Sequence, residues 1–305
     1  MEEKVFRETR TQIGILKSRG VVIKNKRNAK KIIRDVNYYN LINGYKEPFL
    51  QNTANEKYLS GTTLEEIYSL YEFDRKLRIV TLEYILQIEK QVKSTISYCF
   101  SKSHGHKNYL KMENFDSTGT KKYSQVCDLL NRLYKKISIN INKDLSVSHY
   151  VSGKNYIPLW VLVNTLSMGD ISKFYSNMIQ QEREDVARRL KWGVRENQLV
   201  SCLFFLSTIR NRCAHDERLY SYLSYVDLCA NGYFNYFRRS YCTNNYFAVM
   251  VAFKMLLSKK DYKEYQRKIV DLFNELETGL VVISSRKIRD IMGIPHNWKR
   301  LENLR

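Results

Sequence analysis

The sequence predicts an all-α protein, and two features carry this prediction. Only 3 prolines and 12 glycines occur among 305 residues, so few positions interrupt the chain. Apolar side chains recur at three- and four-residue steps over long segments, which is the period of a helix, whereas the alternation typical of strands is rare. A chain of this length can hold one large or two modest domains with an ample hydrophobic core.

The N-terminal part of the chain predicts a small basic lobe built from two short helices. Residues 9–34 contain nine Lys or Arg and no Asp or Glu. Apolar residues at helical spacing lie on both sides of Gly20, the predicted break, so each helix has an apolar and a basic face. The basic face could contact the phosphates of a nucleic acid, or it could be only a solvated charged surface. The second helix shows no set of side chains that would read bases in a DNA groove. The candidate RNA-binding residues are Arg19, Lys24, Lys26, Arg27, Lys30, Lys31 and Arg34.

Residues 51–61 are polar and glycine-bounded, which predicts a linker. Two overlapping capping boxes follow, Thr62 with Glu65 and Thr63 with Glu66. They open a segment that extends to about Lys102 without Gly or Pro, so one long helix or two stacked helices are expected.

The rest of the chain predicts further helices with short breaks. Residues 139–158 look irregular, and Asn197 is the candidate N-cap of the helix that carries the motif described next. The predicted division is a basic lobe over residues 1–60, a helical bundle over 61–230 and a C-terminal helical extension over 231–305.

The motif of greatest chemical interest is Arg210-Asn211-Arg212-Cys213-Ala214-His215. His215 can take the proton from a ribose 2′-hydroxyl, because histidine titrates near neutral pH. Arg210 can hold the charge that builds on a phosphate, through a planar fork of donors. On a helix Asn211 and His215 share a face, where Asn211 can orient the phosphate or the imidazole. These are the groups needed to cut RNA without a metal.

The surroundings of the motif favour a site over a plain surface. Leu199, Cys202, Leu206, Ile209 and Cys213 predict one buried stripe, with Arg210 at its edge. Ser207, Asn211 and His215 predict a separate polar flank, where a plain surface would carry Lys and Glu. The alternative is an arginine in a surface ion pair and a histidine satisfied at a helix end.

Two other groups of charged residues bear on the motif. Asp74-Arg75 and Glu89-Lys90 on the long helix are expected to form ion pairs within the bundle, or else to orient Arg210. Arg289 and His296 imitate the motif near the C-terminus, but Gly293 and Pro295 prevent one helix from presenting both.

The charge and the cysteines limit the possible functions. The net charge of +20 favours a polyanionic partner, most often a nucleic acid, although a solvated lysine-rich surface is the alternative. The 6 cysteines lack metal-site spacing, and His104 and His106 are expected on a loop surface. Glycine-rich phosphate cradles do not occur, so no cofactor and no metal are expected. The sequence shows no signal peptide and no apolar run long enough for a bilayer, so a cytoplasmic protein without membrane contact is predicted.

Taken together, these residues resemble the Abi-type abortive-infection proteins of the AbiD/AbiF group. The resemblance spans about residues 12–300 in the right order, and includes the motif with the Glu217-Arg218-Leu219 that follows it. The other matching segments are Leu16 to Gly20, Asn37 to Tyr39, Gly44-Tyr45, Pro48-Phe49, Tyr71 to Arg78, Ile88-Glu89, Pro158 to Trp160, Leu166 to Asp170, and Met292 to Pro295 with Trp298.

The resemblance implies a HEPN helical domain, a metal-independent ribonuclease and a role in phage defence. In HEPN nucleases an Arg-x4–6-His motif with an adjacent polar residue is catalytic, which places Arg210, Asn211 and His215 in those roles. Such active sites combine two motifs, so a chain with one copy implies a symmetric homodimer. Some members are restrained by a structured small RNA, which residues 9–34 could bind. A non-catalytic RNA-binding or phage-sensing module is the main alternative, and a DNA-binding regulator is a third.

Overall fold

One helix of 41 residues, α4 (Leu64–His104), runs through the middle of the protein in the computed structural model, which describes residues 5–52, 56–238 and 242–304. Of the two predicted capping boxes, Thr63 with Glu66 forms at its start. The prediction for Thr62 with Glu65 is wrong, because the Thr62 hydroxyl donates to the Leu59 carbonyl at 2.8 Å and Thr63 is the N-cap. Gly105, with φ of +82°, ends it in the left-handed region that glycine adopts readily. The segment is therefore one helix and not two.

The N-terminal lobe consists of α1 (Thr9–Ser18), α2 (Lys26–Val36) and α3 (Tyr38–Tyr45). The Asn25 side chain caps α2 by accepting from two backbone N–H groups. Two short strands, β1 (Leu50–Asn52) and β2 (Lys57–Tyr58), pair antiparallel and lead into α4.

After α4 the chain forms a series of helices. Their bounds are α5 (Gly119–Asn140), α6 (Leu145–Lys154), α7 (Leu159–Thr165), α8 (Met168–Asn177), α9 (Gln180–Leu190), α10 (Glu196–Ala214), α11 (Gly232–Tyr236), α12 (Tyr246–Leu256), α13 (Lys259–Gly279) and α14 (Ser285–Ile291). Turns of 3₁₀ helix occur at Glu47–Phe49, Met112–Asn114 and Trp298–Asn303. The prediction of an all-α helical bundle is confirmed.

The helix that carries the motif, α10, is enclosed by four other helices. It packs against α4 on one side and against α8, α9 and α12 on the others, while α3, α7 and α13 cover the remaining length of α4. Leu199, Cys202, Leu206, Ile209 and Cys213 are buried, as predicted. Burying such side chains is worth about 1.5–3 kcal/mol each for the larger ones, which fixes α10 rigidly on α4.

Three local predictions from the sequence are wrong. Residues 51–61 are not a plain linker, because β1 and β2 pair there and Tyr58 is buried, although residues 53–55 lie outside the described part. Residues 139–158 contain α6, capped by Asp144. The N-cap of α10 is Arg195 instead of Asn197, since the Gln198 side chain accepts from the Arg195 backbone N–H at 3.0 Å.

Candidate active site

The catalytic candidates lie at the C-terminal end of α10. The helix ends at Ala214, and His215 is its C-cap with φ of −96° and ψ of 14°. The His215 N–H still donates to the Asn211 carbonyl at 3.0 Å, so the two residues remain one above the other. Both side chains are exposed. An imidazole and an amide therefore face solvent together, where a substrate can reach them.

Arg210 points from α10 toward the buried carboxylate of Glu89 on α4. Arg210 Nε lies 3.9 Å from Glu89 Oε2, and Lys93 Nζ lies 2.6 Å from the other oxygen of Glu89. The Arg210 side chain is 30% exposed and that of Glu89 is 8% exposed. At 3.9 Å the contact is an ion pair without a hydrogen bond. Arg210 Nε is itself buried and has no hydrogen-bond partner among the described residues, so a phosphate would have to reach the exposed part of the side chain.

Of the two charged pairs predicted on α4, the structure brings only Glu89 to Arg210. Asp74, Arg75 and Glu89 form ion pairs in the bundle, as expected, each with a partner three or four residues away along the helix, because adjacent residues point in different directions. Glu89 pairs with Lys93, one turn along, and not with Lys90. Arg75 pairs with Glu72 at 2.8 Å.

Asp74 instead forms a buried cluster that joins α4 to the segment after the motif. Its carboxylate accepts from Tyr45 Oη at 2.8 Å and from the backbone N–H groups of Leu219 and Tyr220, the latter at 2.6 Å. Arg78 Nη1 also donates to it. Burial, and next the charge of Asp74, raise the pKa of Tyr45 well above its ordinary value, so the phenol keeps its proton and donates. We call these five residues the Asp74 cluster.

Arg78 extends the Asp74 cluster to the residue that follows His215. Its Nη2 donates to Asp216 Oδ1 at 2.5 Å. Asp216 has a φ of +56°, a conformation that costs a non-glycine residue about 1 kcal/mol or more unless its surroundings stabilise it. Through Asp216, Arg78 fixes the direction in which the chain leaves His215.

The second arginine of the motif has a structural role. Arg212 Nη1 pairs with Glu217 at 2.7 Å, Arg212 Nε donates to the Arg218 carbonyl at 2.9 Å, and the guanidinium lies 4.1 Å from the centre of the Tyr222 ring. Its donors and its face are therefore occupied by the segment after the motif. Of the two motif arginines, Arg210 is the one available to a ligand.

Two other side chains of α10 are not available for chemistry. Burial raises the pKa of Cys213 to about 12, so the thiol is protonated at neutral pH and is a poor nucleophile. Ser207 was expected on the polar flank, but it is buried and its Oγ donates to the Phe204 carbonyl at 2.7 Å. A serine in a helix satisfies its hydroxyl in this way when it faces the core. The polar flank is reduced to Asn211 and His215.

The second Arg/His pair does not form a comparable site. α14 ends at Ile291, and Gly293 takes a φ of +72° before His296 is reached. Arg289 donates to Ser285 Oγ at 3.0 Å, whereas His296 lies 2.8 Å from an Arg286 nitrogen. The prediction that no single helix presents both groups is confirmed.

The structure separates the seven basic candidates of the lobe into two groups. Lys24, Lys26, Arg27, Lys30, Lys31 and Arg34 are exposed. Arg27, Lys30, Lys31 and Arg34 line one groove of about 840 Å³ between α1 and α2. Arg19 is different, because it is half-buried and forms an ion pair with Glu56. The exposed charge of the lobe therefore lies mostly on one face of α2.

The described residues also bear on two other classes of site, a metal centre and a membrane span. Within the described ranges, no group of three or more His, Cys, Asp or Glu side chains is placed to hold a metal ion. His104 is not on a loop surface as expected: it belongs to the last turn of α4 and pairs with Glu182 of α9. Among the helices that the structure describes, none combines the length and the hydropathy required to cross a bilayer.

The protein is an all-α helical bundle, and its candidate active site lies at the C-terminal end of α10. A family model described as "Abi-like protein" matches residues 31–221, which is more than half of the chain and includes α3, α4 and the whole motif. The chain therefore belongs to the Abi-like protein family, the Abi-type abortive-infection proteins. No curated protein matches it, and no solved structure does.

Proposed function

We propose that the protein is a metal-independent endoribonuclease of the HEPN type that acts as an abortive-infection toxin in phage defence. The observation that carries the proposal is the arrangement at the end of α10. Asn211 and His215 are exposed on one face, and Arg210, further round the same helix, lies 3.9 Å from Glu89 without a hydrogen bond. The family membership supports the defence role.

In the proposed reaction, His215 removes the proton from a ribose 2′-hydroxyl, and the oxygen attacks the adjacent phosphorus. The bond from phosphorus to the 5′-oxygen breaks, and that oxygen takes a proton from the second copy of the motif in a dimer. The products are a 2′,3′-cyclic phosphate and a 5′-hydroxyl. Arg210 stabilises the charge on the phosphoryl oxygens, and Asn211 orients the phosphate or the imidazole.

The direct test is incubation of the protein with end-labelled single-stranded RNA in EDTA. Cleavage that leaves cyclic phosphate ends supports the enzyme. Tight RNA binding without cleavage supports the alternative, a non-catalytic RNA-binding or phage-sensing module. Preferential binding of one duplex DNA sequence would instead support a DNA-binding regulator.

We further propose that the active form is a homodimer in which two motifs share one active site. Phe204 supports this, because it lies on the face of α10 that carries Asn211 and His215 and is 45% exposed. An exposed phenylalanine two turns from a polar site is well placed to be covered by a second copy.

Dimer dissociation is expected to remove the activity. Phe204→Glu should shift the protein toward a monomer in sedimentation and abolish cleavage, because a carboxylate in each copy would face the other across the symmetry axis. Leu145→Glu is the matched control, since Leu145 is 90% exposed on α6, away from α10. Full cleavage by a demonstrated monomer would contradict the shared site.

We also propose that the basic face of the lobe binds RNA, either substrate or a small structured RNA that restrains the toxin. Its exposed cations are placed for phosphate contact, and the lobe reaches the motif through Tyr45 of α3 and the Asp74 cluster. The division into residues 1–60, 61–230 and 231–305 remains our working proposal for the domains.

Removing the charge of the lobe is expected to weaken RNA binding and flatten its salt dependence. We would replace Lys24, Lys26, Arg27, Lys30 and Lys31 by Gln and measure affinity against salt concentration. The slope should fall by roughly one unit for each phosphate that a side chain no longer neutralises. If a small RNA restrains the toxin, toxicity in cells should rise. Unchanged affinity and slope would mean that α2 presents only a solvated face.

A further inference from the structure

A groove between α4 and α7 adjoins the candidate active site. It has a volume of about 490 Å³, and its walls include Lys90 and Lys93 from α4 and Trp160 from α7. Glu89 lies at its edge, and the same carboxylate contacts Arg210. The Glu89 carboxylate therefore lies between this groove and the guanidinium that we place on the scissile phosphate.

The charge of the groove suits a polyanion. Glu89 is paired with Lys93, and Arg210 contributes a second positive charge beside it. Lys90 is exposed, and it forms no ion pair with the residues that the structure describes. With one carboxylate against three cations, the groove and its edge carry a net positive charge.

Trp160 supplies an accessible aromatic surface in this groove. It is 49% exposed, although large aromatic side chains normally bury most of their area. It belongs to an aromatic group that continues away from Arg210: its ring centre is 5.6 Å from that of His106, which is 5.2 Å from that of Tyr156. Lys107 Nζ lies 5.6 Å from the Tyr156 ring. Aromatic faces interleaved with cations are the pattern that binds single-stranded nucleic acid.

We propose that this groove binds a nucleotide of the single-stranded RNA substrate that lies beside the cleavage site, with its base stacked on Trp160 and a backbone phosphate near Lys90. This inference rests on the proposed ribonuclease function, for which it names the substrate class. A duplex does not fit the proposal, because its bases are already stacked and offer no free face. Trp160 would thereby restrict cleavage to unpaired RNA.

The proposal is tested by binding, separately from cleavage. The probe is a mixed-sequence 2′-O-methyl RNA 12-mer, which lacks the nucleophilic hydroxyl, as a single strand and as a duplex. Trp160→Ala should weaken binding of the single strand by roughly 5- to 150-fold and leave duplex binding unchanged. Trp160→Phe, which keeps a ring, should retain most of the affinity. Tyr123→Ala is the control, since Tyr123 is 54% exposed on α5 outside the groove.

A scan of the probe with abasic nucleotides makes the test independent of any folding defect in a variant. For the wild-type chain, removal of the base at one position of the probe should weaken binding as much as Trp160→Ala does. The wild-type and Trp160→Ala proteins should then bind this abasic probe with equal affinity. Lys90→Gln should make the affinity for the single strand depend less steeply on salt concentration than it does for the wild-type chain. Equal weakening of single strand and duplex by Trp160→Ala, or an unchanged affinity, would overturn the proposal.

These outcomes are separable from those that test the nuclease. If the protein cleaves RNA and Trp160→Ala leaves its affinity unchanged, the proposed nuclease function stands and the proposed role of the groove is refuted. If the protein binds single strands through Trp160 and never cleaves them, the proposed role of the groove stands and the proposed nuclease function is refuted.

Discussion

Replacing His215 with alanine is expected to abolish RNA cleavage while the fold stays intact. A positioned general base contributes about 10²- to 10⁴-fold to a rate, and His215 is the imidazole of the motif. The side chain is exposed, so its removal should leave the urea denaturation midpoint within error. The measurement is the first-order rate of cleavage of labelled RNA in EDTA.

Arg210→Ala should reduce the same rate by about 10²- to 10³-fold, as the loss of a group that stabilises transition-state charge does. Arg210→Lys should recover little, because lysine lacks the planar fork. Arg289→Ala and His296→Ala are the matched controls, since they carry the same residue types in a similar order without forming a site. Wild-type rates in both motif variants would show that the site is wrongly assigned.

The largest effect on stability is expected from Asp74→Ala. The change leaves Arg78, which is 3% exposed, without its buried partner, and it removes the acceptor of two backbone N–H groups and the Tyr45 hydroxyl. Breaking a buried ion pair from one side costs about 3–5 kcal/mol, mostly because a charge is left uncompensated. Urea unfolding monitored by circular dichroism measures this free energy.

Glu72→Ala is the control for Asp74→Ala, close to the cluster on the same helix but outside it. Its carboxylate pairs with Arg75 at the surface of α4, and exposed pairs of this kind contribute about 0–1 kcal/mol. A similar small loss for Asp74→Ala would mean that the Asp74 cluster does not hold the segment after the motif.

The parts of the fold that follow from local sequence could be predicted, and α4 shows why. Its capping box and the absence of Gly and Pro are contained in consecutive residues, as is the buried stripe of α10. The strands β1 and β2 could not be predicted, because strands of three and two residues carry too little pattern. Their pairing and the burial of Tyr58, which distinguish this segment from a linker, appear only in the folded chain.

The candidate site was predictable as a set of residue types but not in its contacts. The spacing to His215 selects Arg210 over Arg212, but their contacts with Glu89 and with the segment after the motif could not be predicted from the motif. The four-residue spacing of Asp74 and Arg78 was a usable signal for their pairing. Their partners at Leu219 and Asp216 were not visible, because about 140 residues of chain separate them.

The helix α4 also sets the distance between the two parts of the candidate site. It carries Asp74, which holds the chain beyond His215, and Glu89, which holds Arg210, on one continuous rod. Fifteen residues at 1.5 Å each place the two carboxylates about 22 Å apart along the axis. One inserted residue between them would turn Glu89 by about 100° relative to Asp74. Substitutions on the outer face of α4 should therefore be tolerated, whereas an insertion or deletion between Asp74 and Glu89 should misplace Arg210 relative to the segment after His215.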